Sequence, residues 1–385
     1  MLEKSIANKF LTALDKLAFG SMDVTMPDGK RYKFEGSHQD AHATLQLHDC
    51  RAITATALKG DTGFAEAYRA GWWDSDDLTS LFLVVMQNQE ALNPYINGSF
   101  IAQIAARISY FFTRNTLNGS KRNIHAHYDL GNKFYSLWLD ETMTYSSALF
   151  ERPDQGLVAA QHHKYDRIID RLGDSGRVLE IGCGWGGFAE RATDRKDYQI
   201  RGLTISKEQH QYATNRLSNK AQIALEDYRI QQGRYNNIVS IEMFEAVGER
   251  FWPVYFNKLK SLLASQGKAV IQTITIGNEY FERYRRGGDA IRTYIFPGGM
   301  LPSPARFAEE SSKAGLRITD THNFGQDYAL TLEHWLARFE NKLTEIKALG
   351  FDDPFIRLWR FYLTCCIASF KVGRTDVMQV ELTHA

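Results

Sequence analysis

The spacing of apolar residues divides the chain into two styles. Up to about residue 112, helical periodicity predicts helices over residues 5–17, 78–89 and 100–112, set around short alternating segments. Within this part, residues 63–74 read GFAEAYRAGWWD. The paired Trp72 and Trp73 behind a short amphipathic helix suit either a lipid interface or the core of a small domain. Residues 114–123, RNTLNGSKRN, are polar, hold a glycine and show no apolar period, which marks a linker. The boundaries expected are therefore an N-terminal domain over 1–113, the linker over 114–123 and a second domain over 124–385.

After the linker, apolar runs at 177–182, 198–205, 236–242 and 268–275 alternate with helical stretches. That alternation predicts an α/β domain, a mostly parallel sheet covered by helices. Two long helices over 327–346 and 353–370 and a final strand over 377–382 complete it. Leu332, Trp335, Leu336 and Phe339 share one helical face. Ligands of such sheets bind beyond the carboxyl ends of the strands, so the residues just after each strand are the ones to read for chemistry.

Composition narrows the function classes. The 46 Lys+Arg against 45 Asp+Glu leave a formal charge of +1, which gives no general field for nucleic acid. The 18 Tyr, 23 Phe and 7 Trp belong to a chain able to bury large cores rather than to a disordered one. The longest apolar run, residues 81–86, is far below the roughly 20 residues that span a bilayer, so a soluble protein without signal peptide or membrane span is expected. Cys50, Cys183, Cys365 and Cys366 form no C-x-x-C pair, and His125, His127, His162 and His163 form no metal-ligand pattern; neither a disulfide framework nor a metal site is expected, and a reducing cytoplasm is the natural compartment.

The strongest local signal is Val178-Leu179-Glu180-Ile181-Gly182-Cys183-Gly184-Trp185-Gly186-Gly187, a strand entering a glycine turn and a helix. Gly182, Gly184 and Gly187 formally satisfy the dinucleotide pattern, but that pattern wants an acid at the end of the second strand, where this chain has Gly202-Leu203-Thr204-Ile205-Ser206. Glu180 is instead placed to meet a cation. S-adenosylmethionine carries positive ammonium and sulfonium groups, so an acid beside the glycines favours the methyl donor over a pyrophosphate cofactor, a purely structural glycine turn being the remaining reading. Asp227 and Tyr228 suit an adenine amino group and face, and equally an exposed turn with a core tyrosine.

Taken together, His127-Tyr128-Asp129-Leu130-Gly131-Asn132, Tyr145-Ser146-Ser147, the Glu180–Gly187 turn, Gly202 to Ser206, Met243-Phe244-Glu245, Tyr294 to Ser303 (YIFPGGMLPS) and Asn323 to Tyr328 (NFGQDY) closely resemble the cyclopropane-fatty-acyl-phospholipid synthase family. The GFAEAYRAGWWD segment resembles the Gly-Trp-Trp block of its bacterial two-domain members. The resemblance implies a class I methyltransferase (Rossmann-like) domain with a seven-stranded sheet and a smaller N-terminal α+β domain that engages membrane and lipid. It implies S-adenosylmethionine contacts at Tyr145, Ser146, Gly182, Gly184, Thr204, Gln209, Asp227 and Tyr228, beside Glu180. It also implies methyl transfer to the cis double bond of an unsaturated phospholipid acyl chain at the inner face of the membrane, through a chain carbocation. A homodimer stays open.

A carbocation wants aromatic faces nearby, and Tyr145, Phe244, Tyr294 and Phe324 are candidates. The proton then lost decides between a cyclopropane and a methyl- or methylene-branched chain. In the family a bound bicarbonate is thought to take that proton, held by a glutamate, a histidine, a tyrosine and the backbone around a cysteine. Matching positions here are Glu245, Gln272, Tyr328 and Ser147; the family's histidine is thus Gln272 and its cysteine Ser147, while Ala246 stands where a histidine usually follows the glutamate. Two other classes share part of the pattern: the plant alkaloid N-methyltransferases, which would take an amine, and a non-catalytic lipid-binding protein. Arg283, Arg285, Arg286 and Arg292 suit either anionic headgroups or a solvated loop.

Overall fold

The structure, a computed structural model, describes residues 2–96 and 130–385, with side chains at 6–93 and 130–385. The expected helix over 100–112, the linker over 114–123, and His125, His127, Tyr128 and Asp129 lie outside the described residues. Two compact units emerge. The first takes residues up to 96 together with Glu282–Pro297 and Glu340–Arg374; the second takes 130–281, Gly298–Phe339 and Thr375–Ala385.

The first unit holds a four-stranded sheet in the order β2-β1-β3-β4, from Phe19–Thr25 (β1), Arg31–Glu35 (β2), His38–Leu47 (β3) and Trp73–Asp74 (β4). Strand β1 pairs antiparallel with β2 and parallel with β3. The helix Leu78–Gln87 starts where Asp77 accepts from the N–H groups of Thr79 and Ser80, satisfying two donors that a helix start leaves open. Of the two tryptophans, Trp73 is wholly buried, stacked on Phe64 at 4.1 Å, and its indole N–H donates to the Phe64 carbonyl at 3.0 Å. Trp72 is partly buried beneath the Arg51 guanidinium at 4.4 Å. The core reading of the pair therefore holds for Trp73.

A single boundary at the linker does not describe this unit. The helix Asp353–Lys371, expected in the second domain, buries Ile356, Trp359, Phe361 and Leu363. Phe361 packs edge-on against Phe82 at 4.8 Å, and Arg357 donates to the carbonyl of Trp73 at 2.8 Å and to Asp74 at 2.7 Å. The cause is burial: a helix with this much apolar surface joins the core that can cover it, whatever its place in the sequence.

The second unit is a seven-stranded sheet in the order β10-β11-β9-β8-β5-β6-β7. Its strands are Ser175–Ile181 (β5), Asp197–Thr204 (β6), Ala221–Leu225 (β7), Tyr235–Ile241 (β8), Leu263–Ile276 (β9), Leu316–Asn323 (β10) and Thr375–His384 (β11). Strands β5 to β9 pair in parallel, and β11 runs antiparallel to both β9 and β10. Strand order reverses at β5, between β6 and β8, so a crevice opens beyond the carboxyl ends there. This is the class I methyltransferase fold expected from the sequence.

Candidate active site

Strand β5 ends in a turn that only small residues can make. Gly182 and Gly184 have φ of 84° and 51°, the left-handed region that favours glycine. A Cβ on Gly182 would meet Met243 Cγ at 2.8 Å, so the position is closed to any side chain as well. The N–H groups of Gly182 and Cys183 donate to the Leu203 carbonyl at 3.0 and 2.9 Å, tying the turn to β6. Above it lies a cavity of about 160 Å³, and Tyr145, Ser146, Glu180, Gly182, Gly184, Thr204, Gln209, Asp227 and Tyr228 all border it.

Glu180 dominates the electrostatics of this cavity. It is 2% exposed, and its Oε2 has no hydrogen-bond partner among the described residues. Burial pushes its carboxyl up to about 8, against the pull of Lys164 and Arg216. A buried acceptor without a donor is the place for a ligand's cationic group, so the residues present fit the ammonium end of S-adenosylmethionine. Beside it, Ser146 Oγ accepts from the buried Lys164 Nζ at 2.7 Å. Thr204 Oγ1 donates to Gln209 Oε1 at 2.9 Å, which fixes that amide at the start of the helix Lys207–Leu217. Asp227 is engaged inside the chain by Arg229, at 2.6 and 2.9 Å, while Tyr228 packs edge-on against Tyr255 at 5.5 Å.

From Tyr145 a run of aromatic rings leads away from the turn. Tyr145 lies 5.5 Å from Tyr135, 5.5 Å from Trp138 and 5.3 Å from Trp335, and Trp335 lies 6.0 Å from Tyr328. The face shared by Leu332, Trp335 and Phe339 is buried in this unit. Other expected aromatics fall elsewhere. Phe244 is buried among Trp252, Tyr255, Phe256 and Phe307, Phe324 stacks on His322, and Tyr294 belongs to the first unit, where its hydroxyl donates to Glu66. Periodicity could not separate rings that fill a core from rings that line a site.

Three of the four residues expected at the reaction centre converge, but on a partner absent from the sequence reading. None of Glu245, Gln272, Ser147 and Tyr328 borders the cavity; Glu242 does. Its Oε1 accepts from the Ser147 N–H at 2.8 Å and from Gln272 Nε2 at 2.8 Å, and its Oε2 accepts from the Tyr328 hydroxyl at 2.7 Å. Glu245 stands apart from this triad of donors. Its Oε1 accepts from Thr273 Oγ1 at 3.0 Å and from the Ile274 N–H at 2.5 Å, its Oε2 is buried without a partner, and burial, aided by the charge of Glu242, pushes its carboxyl up to about 8. The donors expected to hold a bicarbonate ion are thus engaged by a carboxylate of the chain itself, and the residues do not fit an anion on the same donors. The missed signal was the acid that closes the third apolar run, at the strand end where ligands bind.

Glu242 is also held under strain. Its φ of 49° is left-handed, a conformation that costs a non-glycine residue on the order of 1 kcal/mol and persists where the surroundings demand it. Its backbone N–H donates to the Gln272 carbonyl at 2.8 Å. The Gln272 amide is oriented in turn: its Oε1 accepts from Gln379 Nε2 at 3.0 Å, and Gln379 Oε1 accepts from Arg167 at 2.7 Å, which also binds Asp320 at 2.9 Å. A guanidinium can only donate, so Arg167 sets Gln379, Gln379 sets Gln272, and the donor end of Gln272 faces Glu242.

Comparison with known proteins shows the family. The family model described as mycolic acid cyclopropane synthetase matches residues 115–380. The chain is 38% identical over 338 residues to the tuberculostearic acid methyltransferase UfaA1 of Mycobacterium tuberculosis, covering 84% of this chain and 79% of that one. It is 32% identical over 378 residues to the cyclopropane-fatty-acyl-phospholipid synthase of Escherichia coli K12, covering 94% and 96%. The solved structure of the mycolic acid cyclopropane synthase CmaA1 complexed with SAH and CTAB superposes with a TM-score of 0.64 at 33% identity, covering 68% of this chain and 97% of that one. A cofactor cavity at the glycine turn, a class I sheet and these matches lead to one conclusion: the chain belongs to the mycolic acid cyclopropane synthetase family, whose relatives include the cyclopropane-fatty-acyl-phospholipid synthases, and is an S-adenosylmethionine-dependent C-methyltransferase.

Proposed function

We propose that the enzyme methylates the cis double bond of an unsaturated fatty acyl chain carried by a membrane phospholipid, through a chain carbocation, to give a cyclopropane or a methyl- or methylene-branched chain. The observation that carries this reading is the aromatic run from Tyr145 through Trp335 to Tyr328, which begins at the cofactor cavity. Bound S-adenosylmethionine supplies an electrophilic sulfonium methyl. The chain's own residues do the rest. Glu180, Thr204 and Gln209 hold and orient at the strand ends, and the neutral ring of Tyr145 at the cavity wall attracts a cation by its quadrupole without trapping it as a nucleophile would. The near full-length match to a protein named for phospholipid supports the lipid acceptor.

Membrane contact fits the basic segment. Arg285 and Arg286 are exposed, with side-chain accessibilities of 46% and 69%, whereas Arg292 is buried on Asp289. Among the described residues no helix is long and apolar enough to cross a membrane, so contact would be peripheral. The test is incubation with labelled methyl donor and vesicles of a defined cis-monounsaturated phospholipid, scored by label in the acyl chain. Label in the cis lipid and none in its saturated counterpart is expected; labelling of small amines but not lipid would sink the reading. Olefinic proton signals in the product separate a ring from a methylene or branched alkene.

A further inference from the structure

On the acyl-methylation reading above, the reaction needs a base to remove a proton from the methylated chain, and the geometry points to the Glu242 side chain as that base, built into the protein in the place expected for a captured bicarbonate ion. Glu242 borders the cofactor cavity, whereas the three donors around it do not. The Ser147 N–H and the Gln272 Nε2 can only donate, and the Tyr328 hydroxyl donates to a carboxylate, so this triad selects the ionised, proton-accepting form. Oε1 accepts two of the three hydrogen bonds and Oε2 one, which leaves Oε2 with an uncommitted lone pair. Burial pushes the Glu242 carboxyl above the usual carboxylate range, with Tyr328, Lys164, Ser147 and Gln272 pulling the other way, and so strengthens it as a base.

The step balances without another reactant. The alkene π pair would bond the incoming methyl carbon while the methyl–sulfur bond breaks with its electron pair staying on sulfur, releasing S-adenosylhomocysteine and leaving a cation on the neighbouring chain carbon. A C–H bond then breaks, its proton goes to Glu242 Oε2, and its electron pair closes the ring from the new methyl or forms a double bond from a chain carbon. One cation and one carboxylate become a neutral chain and a carboxylic acid. Gln379 and Arg167 act as positioning residues, since they set the donor end of Gln272 and touch neither carboxylate oxygen.

Three proteins test the assignment: wild type, Glu242→Gln and Glu242→Gly. Glycine suits the left-handed backbone at 242, so the third variant opens the donor pocket without new strain. In buffer stripped of carbon dioxide, wild type is expected to keep its full rate of S-adenosylhomocysteine release with cis-monounsaturated phospholipid vesicles. Glu242→Gln is expected to lose about 100-fold or more, with S-adenosylhomocysteine affinity within about twofold of wild type. Glu242→Gly is expected to be inactive alone and rescued by added bicarbonate. In parallel, ¹³C-bicarbonate NMR is expected to show binding to Glu242→Gly and none to wild type. Wild-type turnover that depends on bicarbonate, full activity of Glu242→Gln, or bicarbonate bound by wild type overturns the proposal. Failure of wild type on every cis-unsaturated lipid would instead overturn the acyl reading, and the NMR arm still decides which carboxylate fills the pocket.

Discussion

Glu180 and Glu242 stand at the carboxyl ends of neighbouring strands, β5 and β8, and the protein treats them in opposite ways. Glu242 is surrounded by donors from three separate elements, while Glu180 keeps a buried oxygen that no described residue satisfies. An acid left without a donor waits for one from a ligand; an acid given three is ready to act once the ligand has arrived. Lys164 stands between the two regimes. It is fully buried, its ammonium pushed down to about 7 by burial against the pull of Glu242, Asp140 and Glu180. The difference separates binding from chemistry within one crevice.

The comparison breaks most sharply on cofactor affinity. Glu180→Gln is expected to weaken S-adenosylhomocysteine binding about 10- to 100-fold, the worth of a charged hydrogen bond, whereas Glu242→Gln leaves it nearly unchanged; calorimetric titration of both variants checks the split. If both lose affinity alike, the two acids share one task.

The next effect is in pH. Since the empty Glu180 carboxyl sits near 8 and the ligand's ammonium pairs only with its ionised form, affinity is expected to fall roughly tenfold per pH unit below 8, and this slope should vanish in Glu180→Gln. Stability carries the opposite sign. Glu180 and Glu245 have folded values raised from 4.5 to about 8, so the folded state binds more protons than the unfolded one across that window. The ligand-free protein should therefore lose melting temperature as pH rises from 5 to 8, and the shift given by S-adenosylhomocysteine should grow with pH.

A smaller effect tests how Glu242 is held. Gln379→Leu removes the group that orients Gln272 and is expected to lower kcat about 5- to 10-fold with cofactor affinity unchanged. Smallest is Gln272→His. A neutral imidazole donates at one nitrogen and accepts at the other, as the Gln272 amide does between Glu242 and Gln379, so a rate within a few-fold of wild type is expected from steady-state kinetics.

The grouping of the expected cofactor residues around one cavity was legible in the sequence because its pattern is local. Glu180, Gly182 and Gly184 lie within five residues, strand ends draw attention to Asp227 and Tyr228, and the family resemblance adds Thr204 and Gln209; all of them border one cavity. The other half of the site was not, because its meaning is relational. Glu242 and Glu245 are three residues apart, and only tertiary structure turns one toward Ser147, Gln272 and Tyr328 and the other toward the backbone of Ile274. The resemblance pointed to Glu245, as it should for a family matched by position rather than by orientation. For the same reason the helix Asp353–Lys371 was placed in the wrong unit: its sequence shows what it must bury, not where.

The backbone at 242 bears on how such an enzyme changes over time. Codons for glutamate and glycine differ by a single nucleotide, and glycine is the residue that the conformation at this position prefers. If Glu242 is the base proposed above, one point mutation separates a methyltransferase that carries its own base from one that must borrow it.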